Sequence, residues 1–281
     1  MRNFRFLLAL SVIVAVGCNS DDEFGTSMKP LILEVQAEEL GVTRTVLSDD
    51  GRSIFWDVND SLSVFLGGDI MNCAVVYGVP DGRSAKFIVD GKFIIGGTTD
   101  DEGVSYTNVA LYPYAESASM LDSDTLYTMY PAVQRAVLNS IPNGVPMIAA
   151  TDNVTTTSFS FKNISSFIRF SVSSPINTEI SHIVLSADLK PLSGEILVDV
   201  NSANYKIVGQ SGNTITLDCN KIAIGDTPVV FFMSVLPIEF GDDEWSVELF
   251  DTNGGSMKFI LPAFTFERNK FYTLNVNYVP A

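Results

Sequence analysis

Large apolar side chains alternate with polar ones in short runs along most of this chain, and turn residues break the runs about every ten positions. Leu31-Ile32-Leu33-Glu34-Val35 is the first run. Others follow at 53–58, 61–66, 74–77, 85–89, 92–95 and 109–114, with Asp90-Gly91 as a two-residue hairpin signal between two of them. The later half repeats the style at 157–161, 166–172, 182–186, 194–200, 205–208, 214–217, 229–235, 245–250, 257–261 and 271–278. In the run 166–172, Ile168, Phe170 and Val172 share one face, and Asn253-Gly254-Gly255 predicts a tight turn. No stretch of twelve residues keeps a 3.6-residue apolar period. The least strand-like segment is 115–140, where 132–138 predicts a short helix. The pattern predicts an all-β protein of two tandem β-sandwich domains, 31–150 and 156–281, with the junction near 149–156.

The N-terminus reads differently. Arg2 and Arg5 precede an apolar run from Phe6 to Val16, then Gly17 and Cys18. A basic start, a short apolar run and a small residue before the cut form a secretion signal, and the run falls short of the roughly 20 residues a membrane span needs. Val14-Ala15-Val16-Gly17-Cys18 resembles a bacterial lipobox, with Val14 where Leu is usual. The resemblance implies a signal peptide over 1–17 and a lipidated Cys18; an ordinary signal peptide with a chance Cys is the other reading. Asn19-Ser20-Asp21-Asp22-Glu23 resembles the acidic export tag of Bacteroidetes surface lipoproteins, within a flexible tether over 18–30.

Composition narrows the partners. Seventeen Lys and Arg stand against 33 Asp and Glu, a net charge of −16, and losing Arg2 and Arg5 makes the balance more negative still. Nucleic acid and anionic headgroups need a basic footprint that is missing, so membrane contact is expected through the Cys18 lipid. Apolar residues make up 46% of the chain, with 19 Phe and 9 Tyr, enough for a large core. Cys73 and Cys219 are expected as buried thiols, with a bridge between them as the alternative.

Several ordered segments then converge. Gly41-Val42-Thr43-Arg44-Thr45, Asp50-Gly51, Trp56 and Asp60-Ser61-Leu62-Ser63-Val64 resemble the opening of Bacteroidetes fimbrillin-like proteins. Asn143-Gly144-Val145-Pro146-Met147-Ile148-Ala149, the stretch from Phe161 to Phe170, Pro191-Leu192-Ser193-Gly194-Glu195-Ile196 and Lys270-Phe271-Tyr272-Thr273-Leu274-Asn275-Val276 are similar to their later segments. The resemblance implies sandwich domains of Greek-key-like, transthyretin-like topology in a type V pilin or related surface lipoprotein of the outer membrane, cell surface or fimbrium. It also implies pilus-subunit partners joined head to tail by strand exchange, and host or bacterial surface ligands. In that scheme a protease cuts after an Arg beyond the first strand, and a neighbour's strand fills the groove so opened. Arg44 is the candidate cut site, Arg52 the second choice, and a solvated loop residue the plain alternative for Arg44. The run 271–278 is either the donor strand or the last strand of its own domain.

No catalytic, metal or cofactor site is expected. His182 is the lone histidine and reads as a surface strand residue, which leaves no basis for a triad or a His/Cys zinc site. The acidic groups at 49–50, 100–102 and 242–244 read as solvated turns without EF-hand spacing. Asp60-Ser61-Leu62 and Asp124-Thr125-Leu126 resemble a short O-glycosylation signal. Trp56 and Trp245 are expected in the cores. Tyr106, Tyr112, Tyr114, Tyr127 and Tyr130 mark a binding surface or a domain junction. A second function fits the same compartment and fold class: a lipid-anchored glycan-binding module of an outer-membrane nutrient-uptake system, which an exposed row of aromatics on one sheet face would reveal. A hydrolase would need two close carboxylates in a cleft.

Overall fold

The computed structural model of the chain describes residues 30–39, 56–67, 71–90, 107–138, 140–142 and 144–281. Among these residues there are strands and no helix, so the all-β expectation stands. In the first half lie β1 (Leu31–Ala37), β2 (Ser61–Phe65), β3 (Met71–Val76), β4 (Ser84–Asp90), β5 (Val109–Tyr112), β6 (Ser119–Met120), β7 (Thr125–Tyr130), β8 (Val133–Arg135) and β9 (Met147–Ala150). Then come β10 (Ser158–Asn163), β11 (Ser166–Ser173), β12 (Thr178–Ala187), β13 (Ser193–Asp199), β14 (Tyr205–Gly212) and β15 (Thr214–Ile224). The chain finishes with β16 (Val229–Val235), β17 (Ile238–Phe240), β18 (Trp245–Asp251), β19 (Ser256–Leu261), β20 (Phe264–Phe266) and β21 (Phe271–Asn277).

Seven strands pair in the ring β1-β10-β9-β5-β2-β3-β4 and close as a barrel, which removes the open edges of a flat sheet. Pairing around the ring is antiparallel except between β1 and β10. The remaining strands form sheets in the orders β16-β11-β21, β19-β18-β12-β15-β8, β14-β13-β7-β6 and β17-β20. The pairing crosses the expected 150/156 division both ways. β10 belongs to the barrel, whereas β7 pairs with β13 and β8 with β15.

Two-sided burial explains the near-continuous apolar runs of β2, β5 and β9. Leu62, Val64, Ala110, Tyr112, Met147 and Ala149 point into the barrel. Phe65, Val109, Leu111 and Ile148 join the large core of the C-terminal half. A strand buried on both faces has no polar face to alternate with. Tyr130 closes this junction. Its fully buried hydroxyl lies 2.9 Å from Ser165 Oγ and donates to Ser234 Oγ at 3.0 Å. Tyr130 therefore serves the packing between the halves and Tyr112 the barrel core, while Tyr114 is exposed and Tyr106 lies outside the described residues.

The predicted helix at 132–138 is not formed. Residues 133–135 are the extended β8, parallel to β15, and the Gln134 side chain both donates to Ser234 O (2.7 Å) and accepts from Ser234 N (2.8 Å). These tertiary bonds outweigh a local helical preference worth a few tenths of a kcal/mol per residue. The Asn253-Gly254-Gly255 turn does join β18 to β19. Gly254 has φ +89°, and Asp251 Oδ1 accepts from the amides of Asn253 and Gly255, each at 2.8 Å. Gly194 also has to be glycine: φ is +124°, and a Cβ would stand 2.3 Å from Gln210 O.

Cys219 is a buried free thiol on β15, so no bridge joins it to Cys73, which is half-buried on β3. Burial pushes the Cys219 thiol up to about 12, which leaves it inert as a nucleophile near neutrality.

Candidate functional site

The first strand is the element on which the expected function turns, and its sequence dictates how it sits. In LILEVQA the residues Leu31, Leu33, Val35 and Ala37 face inward and are buried, while Ile32, Glu34 and Gln36 face out. Leu33 is wholly buried, among barrel residues that include Phe87, Phe159 and Phe161. The backbone of β1 is bonded on both sides: antiparallel to β4 from Leu31↔Val89 to Gln36↔Ser84, and parallel to β10 from Glu34↔Ser158 to Ala37↔Phe161. β1 is thus an inserted central strand, and the ring closes through it.

The exit of β1 is clamped to the far end of the sequence. The Arg268 guanidinium straddles the Glu38 carboxylate, with Nη1 to Oε2 at 2.7 Å and Nη2 to Oε1 at 3.1 Å. Arg268 Nη1 also donates to Asn163 O at 2.8 Å, and Asn163 N donates to Glu38 Oε2 at 3.0 Å. Asn269, at φ +61°, donates from Nδ2 to Glu39 O (2.8 Å) and accepts from Asn163 Nδ2 (2.8 Å). Arg83 holds Glu39 at 2.7 Å. Two-point geometry of this kind is what a guanidinium offers and an ammonium does not. The junction is not fully satisfied: Asn163 Oδ1 is a buried oxygen without a partner, a cost of about 1–3 kcal/mol.

Truncation of Arg268 tests the clamp. The two side chains keep 30% and 26% of their exposure, so the pair lies between the weak surface and the strong buried limits. Arg268→Ala is expected to cost about 1–2 kcal/mol and to speed amide exchange in β1 more than in β2 or β5. Unchanged protection of β1 in that variant would show that the clamp holds nothing.

The outward face of β1 is the floor of a concavity of about 710 Å³, walled by the β3–β4 connection through Tyr77 and Val79. Tyr77 keeps 52% of its exposure and Val79 90%. Two rungs cross the floor, Lys86–Glu34–Ser158 and Ser84–Gln36–Ser160, with β1 in the middle of each.

At the other end of the chain, β21 lies parallel to β11 from Phe167↔Phe271 to Ser173↔Asn277 and forms one margin of its three-stranded sheet. Phe271, Val276 and the following Tyr278 are buried, so 271–278 completes its own half here. His182 is a strand residue, stacked on Phe250 at 4.3 Å with Nδ1 2.9 Å from Ser181 Oγ. Trp56 and Trp245 are buried as expected, and Asp243 is paired with Lys190 at 3.1 Å. Ser61 and Thr125 of the two glycosylation-like triplets begin β2 and β7, each half-buried. Cys18, Arg44 and Arg52 lie outside the described residues, as do the acidic groups at 49–50 and 100–102. Sequence reasoning missed the clamp, because Glu38 and Arg268 are 230 positions apart and neither sits in a motif.

No protein-family model matches the chain, and no curated protein does. Solved structures do resemble it. A candidate cell adhesion protein from Bacteroides ovatus matches with a TM-score of 0.51 at 13% identity, over 89% of this chain and 92% of that one. Another from Bacteroides uniformis scores 0.47 at 12% identity, over 88% and 94%. A fimbrial assembly protein from Parabacteroides distasonis scores 0.38 at 10% identity, over 88% and 91%. The first of these shows a shared fold.

Proposed function

We propose that the protein is a cell-surface fimbrial or adhesion subunit, carried by a lipid on Cys18 and joined head to tail with other subunits by strand exchange after cleavage following Arg44. The observation that carries this reading is the seating of β1. A seven-residue segment near the N-terminus fills a slot between β10 and β4 with alternate apolar side chains and bonds to both walls. A segment held this way can leave without cutting any other strand, and a similar segment of a neighbour can replace it through the same main-chain bonds and side-chain pockets. Head-to-tail replacement does not close on itself, so it builds a fibre. The shared fold with a candidate cell adhesion protein supports the reading. Among the described residues the exposed aromatics are Tyr77 and Tyr114, on separate loops, so the row of aromatics expected of the nutrient-uptake alternative is not formed by them.

Intact mass and N-terminal mapping of the protein taken from native cells test the proposal. A species beginning at Thr45 is the expected result. A species that begins only at a lipidated Cys18 would retain β1 and leave an anchor or tip role in place of polymerisation.

A further inference from the structure

We infer that the concavity over the outer face of β1 is a binding site for a neutral oligosaccharide, and that it exists only while β1 is in place. The second half of this statement rests on the reading of β1 as a removable strand; the first half stands without it.

The chemistry of the floor selects the ligand class. Its two rungs present one amide (Gln36), three hydroxyls (Ser84, Ser158 and Ser160) and the opposed charges of Glu34 and Lys86, 3.7 Å apart. With strands about 4.8 Å apart and alternate residues about 7 Å apart, these groups form a flat grid of donors and acceptors roughly 10 Å across. Among the described residues, no side-chain hydrogen bond involves Gln36 or the three serines, so their capacity is available to a ligand. The Tyr77 ring and the Val79 side chain supply an apolar wall beside this polar floor. The volume, about 710 Å³, lies within the range of small-ligand sites.

Other classes fit worse. An anion meets Glu34 and Asp81 as well as Lys86, in a chain of net charge −16. An extended peptide needs a free strand edge, and β1 is bonded on both sides. An apolar ligand would strip water from the floor groups and return no hydrogen bonds. A sugar chain offers hydroxyls that both donate and accept, spread over successive rings so that they can reach the Gln36 amide and the Glu34 carboxylate about 7 Å apart along β1, and C–H faces for the tyrosine ring. Glu34 and Gln36 are the central members of both rungs, so departure of β1 removes the middle column of the floor. Ligand binding and strand removal are therefore mutually exclusive, and a bound saccharide favours the strand-complete form by mass action.

The test is calorimetric titration of the purified chain with cellotetraose, chitotetraose, maltotetraose and mannotetraose. Binding of at least one is expected, weakened about tenfold or more by Tyr77→Ala and by Gln36→Ala, and left intact by Tyr114→Ala, the other exposed aromatic among the described residues. Circular dichroism and melting of the Tyr77→Ala and Gln36→Ala variants are expected to match the parent, because both side chains are exposed. Absence of binding to all four sugars overturns the site, and so does binding that neither variant weakens. Protein cleaved after Arg44 and stripped of β1 is expected to lose the binding; retained binding there overturns the dependence on β1. If cells never remove β1, the strand-exchange reading fails while the titration of the intact chain is unaffected, so the two ideas fail separately.

Discussion

A chain cut after Arg44 and stripped of its first strand is expected to melt far below the intact protein and to recover when supplied with a peptide of the sequence 30–39. Leu31, Leu33 and Val35 are buried at 9%, 0% and 3% exposure. Burial of three such side chains contributes about 5–9 kcal/mol, before the main-chain bonds to β4 and β10 are considered. The whole stability of a domain is about 5–15 kcal/mol, so the emptied barrel is marginal. It also leaves Phe87, Phe159 and Phe161 facing an open slot, a surface that invites either refilling or aggregation. Thermal unfolding with and without the peptide, and fluorescence anisotropy of a labelled peptide, report both effects. A peptide with Leu33→Asp carries a charge into the most buried position and is expected to bind at least a hundredfold more weakly. If the stripped chain melts like the intact one and ignores the peptide, β1 is dispensable and strand exchange has no basis here.

The sequence discloses this slot more readily than its surroundings. LILEVQA alternates, and a strand with one buried face must alternate. The Asn253-Gly254-Gly255 turn is legible for the same local reason, since a positive φ and an Asx-type bond need particular residues. Pairing partners are another matter. Nothing in residues 158–163 tells β10 to close the barrel and not to open the C-terminal half, and β7 and β8 join sheets built mainly from residues beyond 178. Apolar runs buried on two faces, such as β5 and β9, give no period to read. The short helix expected at 132–138 loses to bonds between Gln134 and Ser234, a hundred positions away. The clamp of Glu38 by Arg268 and the floor rungs either side of Glu34 and Gln36 depend on the same long-range register. Alternation is a property of a segment, whereas a site is a property of pairing, so the candidate strand is legible and the candidate cavity is not.

The clamp and the slot share a support that does not depend on β1. Trp56 lies 5% exposed, edge-on to Phe87, Tyr112 and Phe161 at centroid distances of 5.3, 5.3 and 5.4 Å. Its Nε1 donates to Arg83 O at 2.8 Å, the same oxygen that accepts from Ala37 N at 3.0 Å where β1 ends. Trp56→Ala removes three aromatic contacts and opens a cavity in a packed core, and is expected to cost about 3–5 kcal/mol in urea unfolding. Trp56→Phe keeps much of the ring packing and loses the indole donor. In the intact chain Ala37 N still satisfies Arg83 O, so the cost of that change is expected to be small. In the chain stripped of β1 the indole N–H is the remaining protein partner of Arg83 O, at an end of the slot that water can now enter, and the same substitution is expected to cost about 0.5–1.5 kcal/mol more, the net worth of one such hydrogen bond. A cycle over Trp56→Phe and removal of β1 isolates this coupling. Additive effects would mean that Trp56 packs the barrel without guarding the end of the slot. A positive coupling would mean that Trp56 keeps the emptied groove in the shape a second strand needs, which is the preorganisation that strand exchange between subunits requires.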